Sequence, residues 1–324
     1  MERLGRFGLR SNQDRPTICV PIVKDYWVII ELPSCSSVSV GSLESVVIRK
    51  FYFQVCSAEM IDPLNLPFKS ALIIAHPGHE LRVHHWLEMA RPIVLVLTDG
   101  SGSVNKPRLA STTSILKATG ARCGQIYGSF SDARVYSALL DQEVSVFQQV
   151  LDSMTSFLIQ EEIDLVAGDS LEGYNPTHDI CRYLINAAVE LVQRKTGRVM
   201  LNYDFPLVGL PSRCLGAQRG ASIRLPLDET AWQRKWNAAQ GYPELAVEIE
   251  KAVATLGKEE FKVEWLHPAD GAAGLADLPG GTPFYEQHGE RRCQEGVYEE
   301  VIRYQQHVKP LAQALWRRAT GSLR

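Results

Sequence analysis

Short, continuous apolar runs alternate with longer amphipathic segments after residue 69, and this alternation constrains the fold more than any other feature. The runs SALIIAH, IVLVLT and IDLVAG have the length and composition of strands that are buried on both faces. Between the last two runs, residues 143–160 carry apolar side chains at three- and four-residue intervals, which is typical of an amphipathic helix. Strands that alternate with helices through short links favour a parallel sheet with helices on both faces. The sequence therefore predicts an α/β fold, a Rossmann-like three-layer sandwich with a mostly parallel sheet.

The first 68 residues have a different texture. The segments TICVPIVKDYWVIIELP and SVVIRKFYFQVC are rich in β-branched and aromatic residues, and a Ser/Gly-rich stretch separates them. This composition predicts a small β-rich N-terminal extension. A segment of this size buries little apolar surface by itself, so an independent unit and a strand pair packed on the main domain are both open. We predict two domains, residues 1–68 and residues 69–324.

Composition excludes several classes of partner. The chain of 324 residues has 34 Lys and Arg against 37 Asp and Glu, which leaves no cationic excess for a nucleic acid. No apolar run approaches the roughly 20 residues that a membrane-spanning helix needs. The N-terminus lacks the apolar segment of a secretory signal, and the seven cysteines form no CxxC pair. We therefore expect a cytoplasmic protein with a small-molecule substrate, without nucleic-acid or membrane partners, and a homo-oligomer is open.

Polar clusters follow the predicted strands at the points where the strands end. The first strand leads into HPGHE, which contains His76 and His79, and a later strand leads into DSLEGYNPTHD, which contains His178. Because ligands of open parallel sheets bind beyond the carboxyl ends of the strands, we expect these histidines to face one point. Three imidazoles and an open fourth position form the donor set of a catalytic zinc site. The alternative is three unrelated surface histidines, since a lone H-x-x-H pair is a weak motif.

These segments resemble the LmbE-like zinc deacetylases, the superfamily of N-acetylglucosaminyl-phosphatidylinositol de-N-acetylase. SALIIAHPGHE, IVLVLTDGSGS and EGYNPTHD are similar to the family's AHPDDE, TxG and HPDH motifs, and the similarity covers residues 70–200. The resemblance implies a zinc-dependent hydrolase of amide C–N bonds. His76 and His178 match metal-binding histidines of the family. His79 stands where the family has a metal-binding aspartate, so that HPGHE replaces HPDDE.

The chain departs from the family where the family transfers protons. Gly78 stands at the position of the general-base aspartate, Asn175 at the first histidine of HPDH, and Thr177 at its aspartate. A replacement base must lie within hydrogen-bond reach of the attacking water. We expect Asp169 and Glu172, as free carboxylates on the strand-end loop, to be the best candidates.

Five further residues are candidates for catalysis or substrate binding, with less specific signals. Asp179 is a further candidate base, or equally a helix-start carboxylate favoured by the helix dipole. Tyr174 can donate a hydrogen bond to an oxyanion. Asp99, Asn175 and His288 are the candidates for substrate binding, and the alternative for Asp99 is a turn residue before a glycine.

The leading hypothesis is a zinc-dependent N-deacetylase or N-deacylase that acts on an N-acylated amino sugar or a similar small metabolite. Zn²⁺ is the expected cofactor, and a three-histidine face also accepts Fe, Co or Ni. Two alternatives are open. One is a metal-dependent enzyme of a specialised pathway with altered chemistry, and the other is a metal-retaining binding protein without turnover.

Overall fold

The computed structural model describes residues 17–23, 26–31, 68–102, 106–213, 222–272, 275, 278 and 281–321. The chain divides into two units, Met1–Ile61 and Asp62–Arg324. In the first unit, β1 (Thr17–Val23) and β2 (Tyr26–Glu31) form an antiparallel pair. Both strands lie within the predicted β-rich extension, whereas its second segment, SVVIRKFYFQVC, lies outside the described residues.

The second unit is built on a sheet that has seven strands within the described ranges. They are β3 (Ser70–Ile74), β4 (Ile93–Thr98), β5 (Arg122–Phe130), β6 (Leu165–Asp169), β7 (Leu201–Phe205), β8 (Ile223–Pro226) and β9 (Val263–Pro268). The strand order is β5-β4-β3-β6-β7-β9-β8. The first five strands of this order are parallel, and β9 pairs antiparallel with both β7 and β8. The predicted α/β fold with a mostly parallel sheet is confirmed.

Helices cover both faces of this sheet. They are α1 (His84–Ala90), α2 (Leu109–Thr119), α3 (Asp132–Leu140), α4 (Val144–Gln160), α5 (Pro176–Thr196), α6 (Glu229–Gln240), α7 (Ala246–Leu256), α8 (Phe284–Gln294) and α9 (Lys309–Thr320). Helices α3, α4, α5 and α9 contribute to one apolar core, and α1, α2 and α6 contribute to the other. The two cores make the three layers of the predicted sandwich. Among the helices of the described residues, none is long and apolar enough to cross a bilayer.

The strand order creates a switch point at the centre of the sheet. The chain moves outward from β3 through β4 to β5, and then crosses back to form β6 on the other side of β3. At such a point the connections leave in opposite directions and a crevice opens beyond the strand ends. His76 follows β3 and His178 follows β6, so the topology brings the two histidine-bearing segments to the same crevice.

Candidate metal centre

Three histidine rings meet at the switch point. The ring centroids are 5.3 Å apart for His76 and His79, 4.9 Å for His76 and His178, and 4.6 Å for His79 and His178. Three imidazoles bound to one tetrahedral zinc ion, with Zn–N distances of about 2.0–2.1 Å, have ring centres about 5 Å apart. The rings therefore have the spacing of ligands that share one cation. The structure brings the three histidines together instead of leaving them at separate surface positions.

The ring of His76 is held through its Nδ1 atom. This atom lies 2.7 Å from Thr98 Oγ1 and 3.1 Å from Asp132 Oδ1. The Thr98 hydroxyl donates its own proton to the carbonyl of Ala75. Thr98 Oγ1 therefore acts as an acceptor toward His76, and Nδ1–H of His76 is the donor. The opposite nitrogen, Nε2, is buried without a hydrogen-bond partner. Metal-binding histidines are typically held in this way, with one nitrogen fixed by a polar group and the other left for the ion.

His79 is held in the same way by a different carboxylate. Its Nδ1 atom lies 3.0 and 2.9 Å from the two carboxylate oxygens of Asp169. Burial, together with the nearby His76 and Arg108, lowers the pKa of His79 well below its usual value, which favours the neutral ring. When Asp169 is ionised, it accepts the proton of His79 Nδ1, and the lone pair of His79 is then on Nε2.

The third ring belongs to the first turn of α5. Asn175 caps this helix by accepting a hydrogen bond from Thr177 N at 2.8 Å, and Pro176 occupies the first helical position, both of which favour a helix start. The cap fixes the direction in which His178 leaves the helix. Burial and the neighbouring His79 and His76 lower the pKa of His178, and its Nδ1 atom is buried without a partner.

The donor atoms do not form a ready-made metal site. In the described part of the chain, no three His, Cys, Asp or Glu side chains make a group that could already hold an ion. The three rings instead contact one another edge to face, with interplanar angles of 82°, 65° and 84°. This packing leaves His76 Nε2 and His178 Nδ1 buried and unpaired, which is unfavourable in the absence of a partner. Ligand type, ring spacing and unpaired nitrogens fit a divalent cation, and the binding itself is a proposal.

Asp169 is not a free carboxylate, which corrects the expectation from the sequence. It is fully buried, and besides contacting His79 it accepts a hydrogen bond from Ala75 N at 2.8 Å. Burial raises the pKa of Asp169 to about 7. Its contacts are those of a group that orients His79.

Glu172 and Asp179 are also engaged, and each of them holds a loop. The carboxylate of Glu172 accepts hydrogen bonds from Leu207 N at 2.8 Å and Val208 N at 3.1 Å. Asp179 Oδ1 accepts from Glu172 N at 3.2 Å and Gly173 N at 3.1 Å. Burial raises the pKa of both carboxyls to about 7. Glu172, like Asp169, is therefore not a free carboxylate. Asp179 lies in the first turn of α5, which is the helix-start role given as the alternative to a base.

Two of the candidates for substrate binding have local structural partners. Asp99 Oδ1 accepts a hydrogen bond from Ser101 N at 2.9 Å, which is the turn role given as its alternative. Asn175, besides capping α5, donates from Nδ2 to the hydroxyl of Tyr136 at 3.3 Å. Roles of Asp99 and Asn175 toward a substrate stay predictions.

Tyr174 lies at the surface beside His178, and His288 lies farther along the same row of aromatic rings. The ring of Tyr174 is 6.5 Å from that of His178, and it stacks on Phe284 at 4.9 Å. The ring of His288 also stacks on Phe284, with 5.9 Å between the ring centroids. The oxyanion role of Tyr174 and the role of His288 in substrate binding stay predictions.

Two residues of the centre were missed from the sequence. Asp132 follows β5, and its Oδ2 atom accepts from Gly102 N at 2.6 Å, while hydrogen bonding to His76 lowers its pKa although burial opposes the shift. Arg108 precedes α2, and its Nε atom is buried without a partner. A Cβ added at Gly100 would lie 2.8 Å from Arg108 Nε, so the glycine makes room for the guanidinium. Asp132 lies at a strand end, where the rule that found the histidines also applies.

Comparisons with known proteins give remote similarity. No protein-family model and no curated protein matches the sequence. The solved structure of the A40926 pseudoaglycone deacetylase Dbv21 aligns with a TM-score of 0.44 and 18% identity, over 62% of this chain and 96% of that chain. A triple mutant of the deacetylase Orf2* from the teicoplanin biosynthetic pathway gives 0.41 and 14%, over 66% and 93%. The zinc-inhibited form of teicoplanin deacetylase Orf2 gives 0.39 and 12%, over 70% and 94%. Similarity at this level assigns neither a family nor an activity.

Proposed function

We propose that this chain is a zinc-dependent hydrolase that removes the acyl group from an N-acylated amino sugar or a comparable small N-acyl metabolite. The observation that carries the proposal is the meeting of His76, His79 and His178 at the switch point, with centroid distances of 4.6–5.3 Å. The resemblance of their motifs to the LmbE-like deacetylases supports the same reaction. The ligands would be these three imidazoles, with an open side for the substrate.

Each side chain of the centre has a separate task. Thr98 and Asp132 keep the proton of His76 on Nδ1, and Asp169 does the same for His79, so that the Nε2 lone pairs are available. A zinc ion, when bound, supplies Lewis acidity that polarises a carbonyl oxygen and acidifies water. Arg108 places positive charge close enough to lower the pKa of His79 and of His178. This charge favours a substrate whose acyl oxygen becomes negative during the reaction.

Asp169 is the best placed of the predicted bases. It contacts a ring of the centre, whereas Glu172 and Asp179 bind backbone N–H groups on the loops. Its carboxylate already holds the proton of His79 Nδ1, so its first task is orientation. An Asp169→Asn variant keeps a hydrogen-bonding oxygen but loses the charge, and its turnover tests whether the carboxylate also accepts a proton.

The test combines metal analysis with product analysis on the full chain. We expect one zinc ion per chain and release of acetate from N-acetylated amino sugars. Removal of the ion with a chelator should abolish the release, and added zinc should restore it. His178→Ala removes one of three ligands and should strip the metal. Full metal occupancy in this variant, or wild-type chain without any metal, would refute the assignment.

One observation favours the second candidate function, a metal-dependent enzyme with altered chemistry. Gly78 has a φ of 105°, and a Cβ at this position would overlap the side chain of Leu245. An aspartate there, as the LmbE-like deacetylases carry it, would need both a left-handed backbone and a shift of the Leu245 side chain. Zinc at one ion per chain without acetate release from any N-acetylated sugar would favour this candidate or the binding protein over the deacetylase.

A further inference from the structure

A row of aromatic side chains lies at the surface beside the candidate metal centre. Tyr174 and Phe284 are 43% and 42% exposed, and their rings stack in parallel at 4.9 Å with an interplanar angle of 6°. His288 stacks on Phe284 at 5.9 Å, and Tyr298 contacts His288 edge to face at 6.4 Å. We name these four side chains the aromatic row. Contiguous exposed apolar surface of this kind marks a binding site more often than isolated apolar residues do.

The aromatic row is continuous with the centre. Its first member, Tyr174, has its ring 6.5 Å from the ring of His178. The loop that carries Tyr174 is joined to α8 by a hydrogen bond from Phe284 N to Gly173 O of 2.8 Å. From there the row follows α8, because Phe284 and His288 are four residues apart and share one helix face. A molecule that places its reacting group among the three histidines can extend along this face.

The chemistry of the row favours an aryl group. The guanidinium of Arg291 lies 5.7 Å from the centre of the Phe284 ring, and that of Arg292 lies 5.8 Å from the Tyr298 ring. Aromatic rings and guanidinium groups together stack well on flat π systems.

The carboxylates near the row already have partners. Glu286 accepts from Tyr304 N, Glu290 accepts from Arg303, and Glu295 pairs with Arg292. The groups that face a ligand along the row are therefore mainly aromatic rings and guanidinium groups, which favour a flat π system.

We propose that the aromatic row binds an aryl group in the part of the substrate that is not cleaved, so that the preferred substrate is an aryl-bearing N-acyl amine. The inference rests on the proposed hydrolase function and adds the class of substrate. Phe284 is its central specificity residue, since it touches both Tyr174 and His288.

The experiment compares two matched glycosides of N-acetylglucosamine, one p-nitrophenyl and one methyl, with the zinc-loaded full chain. We expect kcat/KM to be at least about tenfold higher for the p-nitrophenyl glycoside. Phe284→Ala should remove most of this preference, because it lowers kcat/KM for the p-nitrophenyl glycoside more than for the methyl glycoside, and Phe284→Tyr should keep the preference. Val247→Ala, at an apolar residue of α7 that is 57% exposed, is the matched control and should change neither rate. Equal wild-type rates for the two glycosides, or an equal loss of both in Phe284→Ala, would overturn the inference.

A binding measurement separates failure of this inference from failure of the proposed function. If neither glycoside is hydrolysed, the hydrolase proposal fails, and saturation-transfer NMR with the p-nitrophenyl glycoside then tests the row by itself. Transfer to the aryl protons that disappears in Phe284→Ala supports the aryl site. Absence of transfer in the wild type refutes it. Because Phe284 is exposed, the variant should fold, and its circular dichroism spectrum checks this.

Discussion

The loop between the first two histidines is built around a glycine, and replacing that glycine should be costly. Gly78 has φ 105° and ψ −19°, a left-handed conformation that costs a residue with a Cβ roughly 1–2 kcal/mol. A Cβ there would also overlap Leu245 Cδ1, while the next atoms, Leu245 Cγ and Tyr242 Cζ, would lie at 3.4 and 3.5 Å. Overpacking of this kind costs about 1–3 kcal/mol. We therefore expect Gly78→Ala to lower the free energy of unfolding by about 2–5 kcal/mol.

A second glycine separates the two contributions. Gly197, at the end of α5, has φ 70° and ψ −1°, and a Cβ there would meet no atom within 4 Å. Gly197→Ala should therefore show the conformational cost alone, about 1–2 kcal/mol. The difference between the two variants measures the overlap with Leu245. In the double variant Gly78→Ala/Leu245→Ala this part should disappear, which gives a coupling of about 1–3 kcal/mol.

Urea unfolding, followed by circular dichroism at constant pH, is the measurement. If the free energy of unfolding of Gly78→Ala lies within about 0.5 kcal/mol of the wild-type value, the loop adjusts to the added Cβ and the steric reasoning is wrong. Strict additivity in the double variant would show that Leu245 is not the obstacle. In the first case an aspartate at position 78 could be accommodated after all, and the case for altered chemistry would weaken.

Two further predictions concern carboxylates near the centre. Asp132→Asn should weaken zinc affinity by about 10–100-fold, because Asp132 orients His76 and such supporting groups typically contribute this much. Competition with a fluorescent chelator measures the affinity. An unchanged affinity would contradict the orienting role of Asp132. For Glu172, burial raises the pKa from 4.5 to about 7. Between these two pH values the folded state binds more protons than the unfolded state. The free energy of unfolding therefore falls as the pH rises through this window. Glu172→Gln should flatten that fall in urea unfolding experiments from pH 4.5 to 8, and an unchanged slope would show that another group titrates.

The centre of the fold follows directly from the sequence pattern. SALII, IVLVLT and the core of IDLVAG became β3, β4 and β6, because strands buried on both faces consist of continuous apolar runs. The rule that ligands bind beyond the ends of such strands then brings the three histidines to one place. This part of the candidate site was predictable because it depends on topology, which the alternation of strands and helices determines.

Asp132 was harder to find because of where its strand lies. β5 is one of the two edge strands of the sheet, and most of its side chains are exposed or half-buried. It therefore lacks a continuous apolar run, and its carboxyl end is not visible in the sequence. The engagement of Glu172 was equally invisible, since its partners are backbone N–H groups of Leu207 and Val208, more than 30 positions away.

Helix α8 shows a third limit. The segment FYEQHGERRCQ has little apolar periodicity, and only Tyr285 and Gly289 are buried in it. A Cβ at Gly289 would lie 2.9 Å from Val301 Cγ1, so the helix packs closely through a residue that ordinarily weakens helices. Local propensity gives no hint of such a contact.

The hydrogen bond from Ala75 N to the carboxylate of Asp169 joins positions that are 94 apart in the sequence. It forms only when β3 and β6 have paired. Parallel pairing across such a separation is a slow step in folding, because a long loop must be closed first. Before this step Asp169 is remote from His79, and His178 is remote from both other rings. Under the proposed zinc-dependent function, the three ligands come together only after the sheet has formed, so binding of the ion is expected to follow folding of this sheet.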